Sequence, residues 1–289
     1  MNKLKTLGLS ALAGSLALTS ANAVDFSVSG DAILNYKSAD ADGNIANTST
    51  GNGLGVDIDL YFNASGELDN GWTVSFFQAA NTNGAWSNSS SQVTIGMGSM
   101  GTLQVNNIAG SKANGIDDVM PFAFDETWGA TAATTDNPSF FGSATASGSV
   151  DYRIPTQELA GLTINASLTL DPSVSDGATT ARGVNHNSVS GRAMTLEIAH
   201  DSGLSIGAGQ ENLSDGNVTV IAGADDEESH TVYAKYAMGG LSVGMQESYE
   251  NASNGADDKA SEMWAVAYTM GDLSVPYGES ELTRNAGQV

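Results

Sequence analysis

Between Leu54 and Ala64 the chain alternates with period two. Leu54, Val56, Ile58, Leu60, Phe62 and Ala64 share one row, and Gly55, Asp57, Asp59, Tyr61 and Asn63 share the other. Successive side chains of a strand point to opposite faces. The pattern therefore predicts a strand with one apolar face and one face carrying two carboxylates. Its eleven residues match the roughly 9–11 residues of a tilted membrane-crossing strand. The alternation recurs at Phe26 to Tyr36 (with Ile33 as a misfit), Trp72 to Ala80, Val93 to Met97 and Leu103 to Val105. It returns at Val150 to Ile154, Leu162 to Leu170, Met194 to Ile198, Leu204 to Ala208 and Val232 to Met238. The last runs are Leu241 to Met245, Trp264 to Met270 and Leu273 to Val275, giving about thirteen predicted strands.

The connections fall into two classes. Very short ones occur at Ser99-Met100-Gly101, Asp201-Ser202-Gly203, Gly239-Gly240 and Gly271-Asp272. Long stretches rich in Asn, Ser, Asp and Gly occupy 38–52, 81–91, 171–191, 211–229 and 247–260. A transmembrane β-barrel has short turns on one side of the membrane and long loops on the other, whereas a sandwich has no reason to segregate them. A weak repeat relates His230–Val243 to Ser261–Val275, each a strand, a tight turn and a strand; it suits a hairpin unit or a β-repeat array. Tyr36, Trp72 and Trp264 lie near strand ends, where interfacial aromatics belong.

The stretch from Ile108 to Gly148 is different. It is about 40 residues long and holds Pro121 and Pro138. Aromatic residues (Phe122, Phe124, Trp128, Phe140, Phe141) are mixed there with acids (Asp117, Asp118, Asp125, Glu126, Asp136). Loops this long are usually functional or disordered, and the apolar rings argue against disorder. The segment is expected to pack on a surface, and inside a wide barrel that surface is the lumen wall.

Residues 1–23 read as a secretory signal peptide. Lys3 and Lys5 precede an apolar run from Leu7 to Leu18, and Ala21-Asn22-Ala23 is a small-x-small cleavage site. Val24 is the expected first residue of the exported chain, with one domain over 24–289. Mean hydropathy of −0.13 suits a soluble protein, and equally a barrel in which alternate residues face lipid. The chain has no cysteine, which fits a barrel closed by inter-strand hydrogen bonds and is neutral about a large secreted sandwich. Removing the leader takes the formal charge from −23 to −25. That argues against nucleic acid as a partner and, in a pore, favours cations.

Little in the sequence suggests covalent chemistry, and no cofactor is implied. His186, His200 and His230 are widely separated, and no zinc or nucleotide-binding spacing occurs. The acidic run Asp225, Asp226, Glu227 and Glu228 gives a weak Ca²⁺ candidate, with a solvated acidic loop as the plainer reading. Asp57 and Asp59 alternate with apolar residues, so in a barrel they face the lumen, since facing lipid would be costly.

These residues resemble the general porin family of Gram-negative outer membranes. The resemblance rests on Val24-Asp-Phe-Ser-Val-Ser-Gly30 after the leader, and on the long aromatic-acidic loop after about the fifth strand. It also rests on Ser149-Val-Asp-Tyr-Arg-Ile-Pro155 followed by Leu159-Ala-Gly-Leu-Thr-Ile164. It implies an all-β antiparallel transmembrane barrel, 16-stranded and homotrimeric, whose third loop folds inward and narrows the channel. On that basis Asp117, Asp118, Asp125 and Glu126 are expected at the constriction, with basic partners on the facing wall. The alternation places Asp57, Asp59, Arg153 and Lys235 on polar, lumen-facing rows, while Arg182 and Arg192 fall in a loop and at a strand start. Two departures stand out: basic residues are few, and the chain stops at Asn285-Ala-Gly-Gln-Val289 without a closing aromatic. The second, with Pro276 inside a candidate strand, leads to the expectation of a C-terminally truncated member.

The function expected is that of an outer-membrane channel for passive diffusion of small hydrophilic solutes and cations. Two rivals stay open at this stage. One is a structural or adhesive barrel with Ca²⁺-binding acidic loops; the other is a secreted soluble β-sandwich or β-repeat protein.

Overall fold

In the computed structural model, the described residues are 25–38, 52–81, 87–107, 111–113, 115–121, 148–171, 189–215, 227–251 and 258–285. They form fourteen strands and a three-residue 3-10 turn, Gly98–Met100. The strands are β1 (Asp25–Ser38), β2 (Asn52–Glu67), β3 (Thr73–Asn81), β4 (Ser87–Gly96), β5 (Thr102–Asn107), β6 (Val150–Arg153) and β7 (Gln157–Leu159). The remainder are β8 (Leu162–Asp171), β9 (Val189–His200), β10 (Leu204–Asp215), β11 (Glu227–Met238), β12 (Leu241–Asn251), β13 (Asp258–Met270) and β14 (Leu273–Asn285). All belong to one antiparallel sheet in which chain neighbours pair in order; only the short β7 leaves the path, as a hairpin arm on β8. The Ala160-Gly161 turn of that hairpin has positive φ at both residues (51° and 82°), as a two-residue hairpin turn of this hand requires.

The sheet is inside-out relative to a soluble domain. Val93, Leu168, Met194, Leu196, Ile206, Val232, Met245, Trp264 and Val275 are exposed. Gln104, Asn106, Asp151, Thr169, Thr195, Glu211, Thr231, Ser248 and Ser261, on the alternate rows, are buried. Water would not tolerate so continuous an exposed apolar band. It is the outer surface of a membrane-crossing sheet with a polar interior, and it speaks against the soluble sandwich.

The expected strand positions agree with those observed, but the strands are longer than the alternation shows. β4 begins at Ser87, β9 at Val189 and β13 at Asp258, while β10 runs on to Asp215 and β12 to Asn251. Each extension enters a stretch read from sequence as loop. In these extensions the exposed outer row turns polar as well, as at Arg192, Glu247 and Glu262, so the period-two signal fades while backbone pairing continues. Likewise β14 passes through Pro276 and pairs with β13 up to Asn285. Proline cannot donate to a ladder, and among the described residues β14 is paired on one side alone, with β13.

Candidate functional site

Residues 111–113 and 115–121, the first described residues of the long loop, lie against the inner face of the sheet. Ala113, Ile116 and Met120 form a buried apolar cluster with Ala193 of β9, Tyr233 of β11 and Met263 and Ala265 of β13. The wall is cut to receive them. A Cβ placed on Gly244 of β12 would stand 2.9 Å from Met120 Sδ and 3.2 Å from Pro121 Cδ, so this glycine opens the space the segment occupies. Burying an Ile and a Met contributes about 1.5–3 kcal/mol each, which holds the segment to its wall.

Polar contacts fix its register. Lys235 Nζ of β11 donates to the carbonyl of Val119 at 3.0 Å. Lys112 donates from its backbone N–H to Asp151 Oδ2 at 3.3 Å, and its ammonium lies 3.3 Å from Glu197 Oε1. The other Glu197 oxygen accepts from the Tyr233 hydroxyl at 2.8 Å. This bond crosses a whole strand: Gly207 of β10 is opposite both Tyr233 and Glu197 in the ladders. Its missing side chain lets the tyrosine ring lie over the backbone, where a Cβ would collide with Tyr233 Cε1.

Asp151 of β6 is fully buried and fully engaged. It pairs with Arg153 Nε at 2.7 Å and accepts from Thr169 Oγ1 at 2.7 Å, besides the Lys112 amide. Between the segment and β5, β6, β8 and β9 lies a cavity of about 370 Å³, onto which Lys112, Arg153 and Glu197 open.

The expected site residues are distributed as follows. Asp117 is 2 % exposed, and its carboxyl is held well above the usual range, first by burial and then by the neighbouring charges of Asp118 and Glu211. Asp118, next to it, is exposed. Asp125 and Glu126 lie outside the described residues, as do Arg182, Asp225 and Asp226. Asp59 is on the inner row of β2, opposite Asp31 of β1 and Asn81 of β3, and Asp31 accepts from Tyr61 at 2.8 Å. For Asp57 the structure describes the backbone alone, opposite Ile33. Arg153 and Lys235 both face inward, one to the cavity and the other to the segment.

Arg192 is exposed on the outer row of β9. Of the weak Ca²⁺ candidates, Glu227 is described by its backbone at the start of β11, and Glu228 is engaged by Gln210 and by His230 Nε2 at 3.4 Å. Among the described residues, no group of three His, Cys, Asp or Glu side chains could hold a metal ion. Lys112, Asp151, Glu197, Tyr233 and Glu211 were not singled out from sequence. Glu197 was within reach, because Leu196 and Ile198 flank it in the alternation and send it inward.

The sequence matches the family profile described as Gram-negative porin over residues 8–288. No curated protein sequence matches it. Among solved structures it is similar to the anion-selective porin from Comamonas acidovorans, at 12% identity and TM-score 0.52, covering 91% of this chain and 89% of that one. It is also similar to a porin refined at 1.8 Å, at 14% identity and TM-score 0.51, covering 90% and 85%. A third is OmpT, an outer-membrane protein of Vibrio cholerae in a trimer form, at 12% identity and TM-score 0.46, covering 92% and 90%. At such identities, the Comamonas structure and the 1.8 Å porin bear on the fold alone.

Proposed function

The chain belongs to the Gram-negative porin family, and we propose that it forms a water-filled, cation-preferring channel for passive diffusion of small hydrophilic solutes. It is an outer-membrane porin with a β-barrel fold; cation preference and the constriction roles are the proposed part. One observation carries the reading. The segment from Ser111 to Pro121 is pinned to the inner wall by Ile116, Met120 and Lys235, so it narrows whatever path the sheet encloses. Asp117 and Asp118 ride on it, and Asp125 and Glu126 follow it in sequence.

The preference for cations rests on charge. Inward carboxylates include Asp59, Glu197, Glu211 and Glu250, while the cations with described inward side chains are Lys112, Arg153, Lys235 and Lys259, and Lys37 and Arg284 stand on inward rows of the ladder. Arg153 and Lys259 are already paired with Asp151 and Glu250. The anion selectivity of the Comamonas porin therefore does not transfer to a chain with formal charge −23. Assembly as a homotrimer belongs to this proposal as the arrangement the family resemblance implies, and so does removal of residues 1–23 on export. Amino-terminal sequencing of the outer-membrane form is expected to begin at Val24; retention of Lys3 and Lys5 would refute the cleavage.

The test is single-channel recording in planar bilayers across a salt gradient. Stepwise conductance and a reversal potential on the cation side are expected. Absence of steps would remove the channel, and a reversal potential on the anion side would remove the selectivity.

A further inference from the structure

We propose that the cavity between the docked segment and strands β5, β6, β8 and β9 is a binding subsite for small zwitterionic solutes of amino-acid or dipeptide size. The inference rests on the channel reading, because the cavity opens on the inner face of the barrel. Its volume of about 370 Å³ is at the lower end of the roughly 300–1,000 Å³ that small-molecule sites occupy.

The charges on its lining select the class. Beyond the leader the chain has eight basic residues, and two of them, Lys112 and Arg153, meet at this one cavity. Asp151, buried and saturated by Arg153, Thr169 and the Lys112 amide, anchors the guanidinium without presenting a charge of its own. Glu197 does present one: Tyr233 holds its Oε2, and Oε1 faces the Lys112 ammonium. The lining thus carries cationic donors beside an acceptor carboxylate, with the hydrogen-bonded Ser167–Thr195 hydroxyls next to them.

A lone anion drawn to Lys112 meets Glu197 at once, and a lone cation drawn to Glu197 meets Lys112 and Arg153. A zwitterion answers both. Its carboxylate takes the Lys112 and Arg153 donors while its ammonium takes the Glu197 oxygen that Lys112 releases, so the Lys112–Glu197 pair is exchanged for two pairs of the same kind. A neutral polyol gains the hydroxyls alone. Because the existing ion pair must open, binding is weak, as passage through a channel requires.

The probe is glycylglycine, titrated calorimetrically into the detergent-folded full chain and, separately, added to the open channel in planar bilayers. Saturable binding and a concentration-dependent reduction of single-channel current are expected, with neither effect from sucrose, acetate or methylammonium. Glu197→Gln and Lys112→Gln should each weaken binding by at least about tenfold, and Lys112→Arg should restore it. Heat-modifiable migration on gels shows that each variant has folded; if Glu197→Gln does not fold, the pair at Lys112, an exposed side chain, decides. Equal binding of sucrose, or glycylglycine binding unchanged in the glutamine variants, overturns the subsite. Conductance without binding defeats this inference alone, whereas absence of conductance steps defeats the channel reading and, with it, the subsite's place in a pore.

Discussion

Asp117 is a carboxyl placed where its charge is unwelcome. Burial, then the charges of Asp118 and Glu211, raise its pKa well above the ordinary value. The docked segment therefore holds a proton more tightly than the same segment in water. By linkage, docking is favoured while Asp117 is protonated and weakens as pH climbs from the ordinary carboxylate range through the raised value. Conductance is accordingly expected to rise with pH across that interval as the segment loosens. Asp117→Asn keeps the shape and removes the charge, so its conductance should stay at the low-pH level throughout. A variant that follows the wild-type pH curve would show that another group controls the segment. The residue type was legible in the sequence, as an acid in an aromatic-rich loop. Its burial was not, because the segment that carries it docks on wall residues far along the chain, such as Ala193, Tyr233 and Met263, which carry no local signal of that contact.

At the scale of elements, the strands were readable wherever lipid imposes alternation and unreadable where it does not. The outer row of β13 shows both regimes. Met270, Tyr268, Val266 and Trp264 lie within the apolar band, and then Glu262 follows in the same row. Glu262 is in register with Glu247 of β12 and Glu281 of β14, so a line of outward carboxylates marks where the band ends. Directly beneath it Trp264 packs on Tyr277 at 5.6 Å, in the place an interfacial aromatic takes.

The docked segment obeys different rules: Ala113, Ile116 and Met120 recur at the i, i+3, i+7 spacing of a helix, yet the described residues there form turns and bends, because the wall supplies the packing. Ile116 and Met120 could be recognised as anchors only with the wall in view. Replacing both by alanine removes contacts worth roughly 2–5 kcal/mol each in a well-packed site. The double variant is expected to free the segment: proteolytic nicking within 111–121 should accelerate and single-channel conductance should increase, with heat-modifiable barrel migration retained. Unchanged nicking and conductance would mean that the segment is held chiefly by Lys112 and Lys235.

For the molecule as a whole, the separation of apolar from charged surface lets two kinds of selectivity coexist. The net charge acts over distance, through acids on the inner face and the loops. The charges around Lys112, Arg153 and Glu197 act by contact, within one cavity. Ionic strength separates these contributions, because the screening length falls from about 10 Å at 0.1 M to about 3 Å at 1 M. Cation preference, measured as a permeability ratio from reversal potentials, is therefore expected to decline steeply over that range toward the ratio of bulk mobilities. Short-range pairs at separations like the 3.3 Å between Lys112 and Glu197 lose much less. A permeability ratio that holds constant with salt would mean that a contact filter sets ion selectivity, and the acid excess of the chain would then have no part in it. A steep decline places the selectivity in the summed field of the inner carboxylates, a property that no single substitution removes.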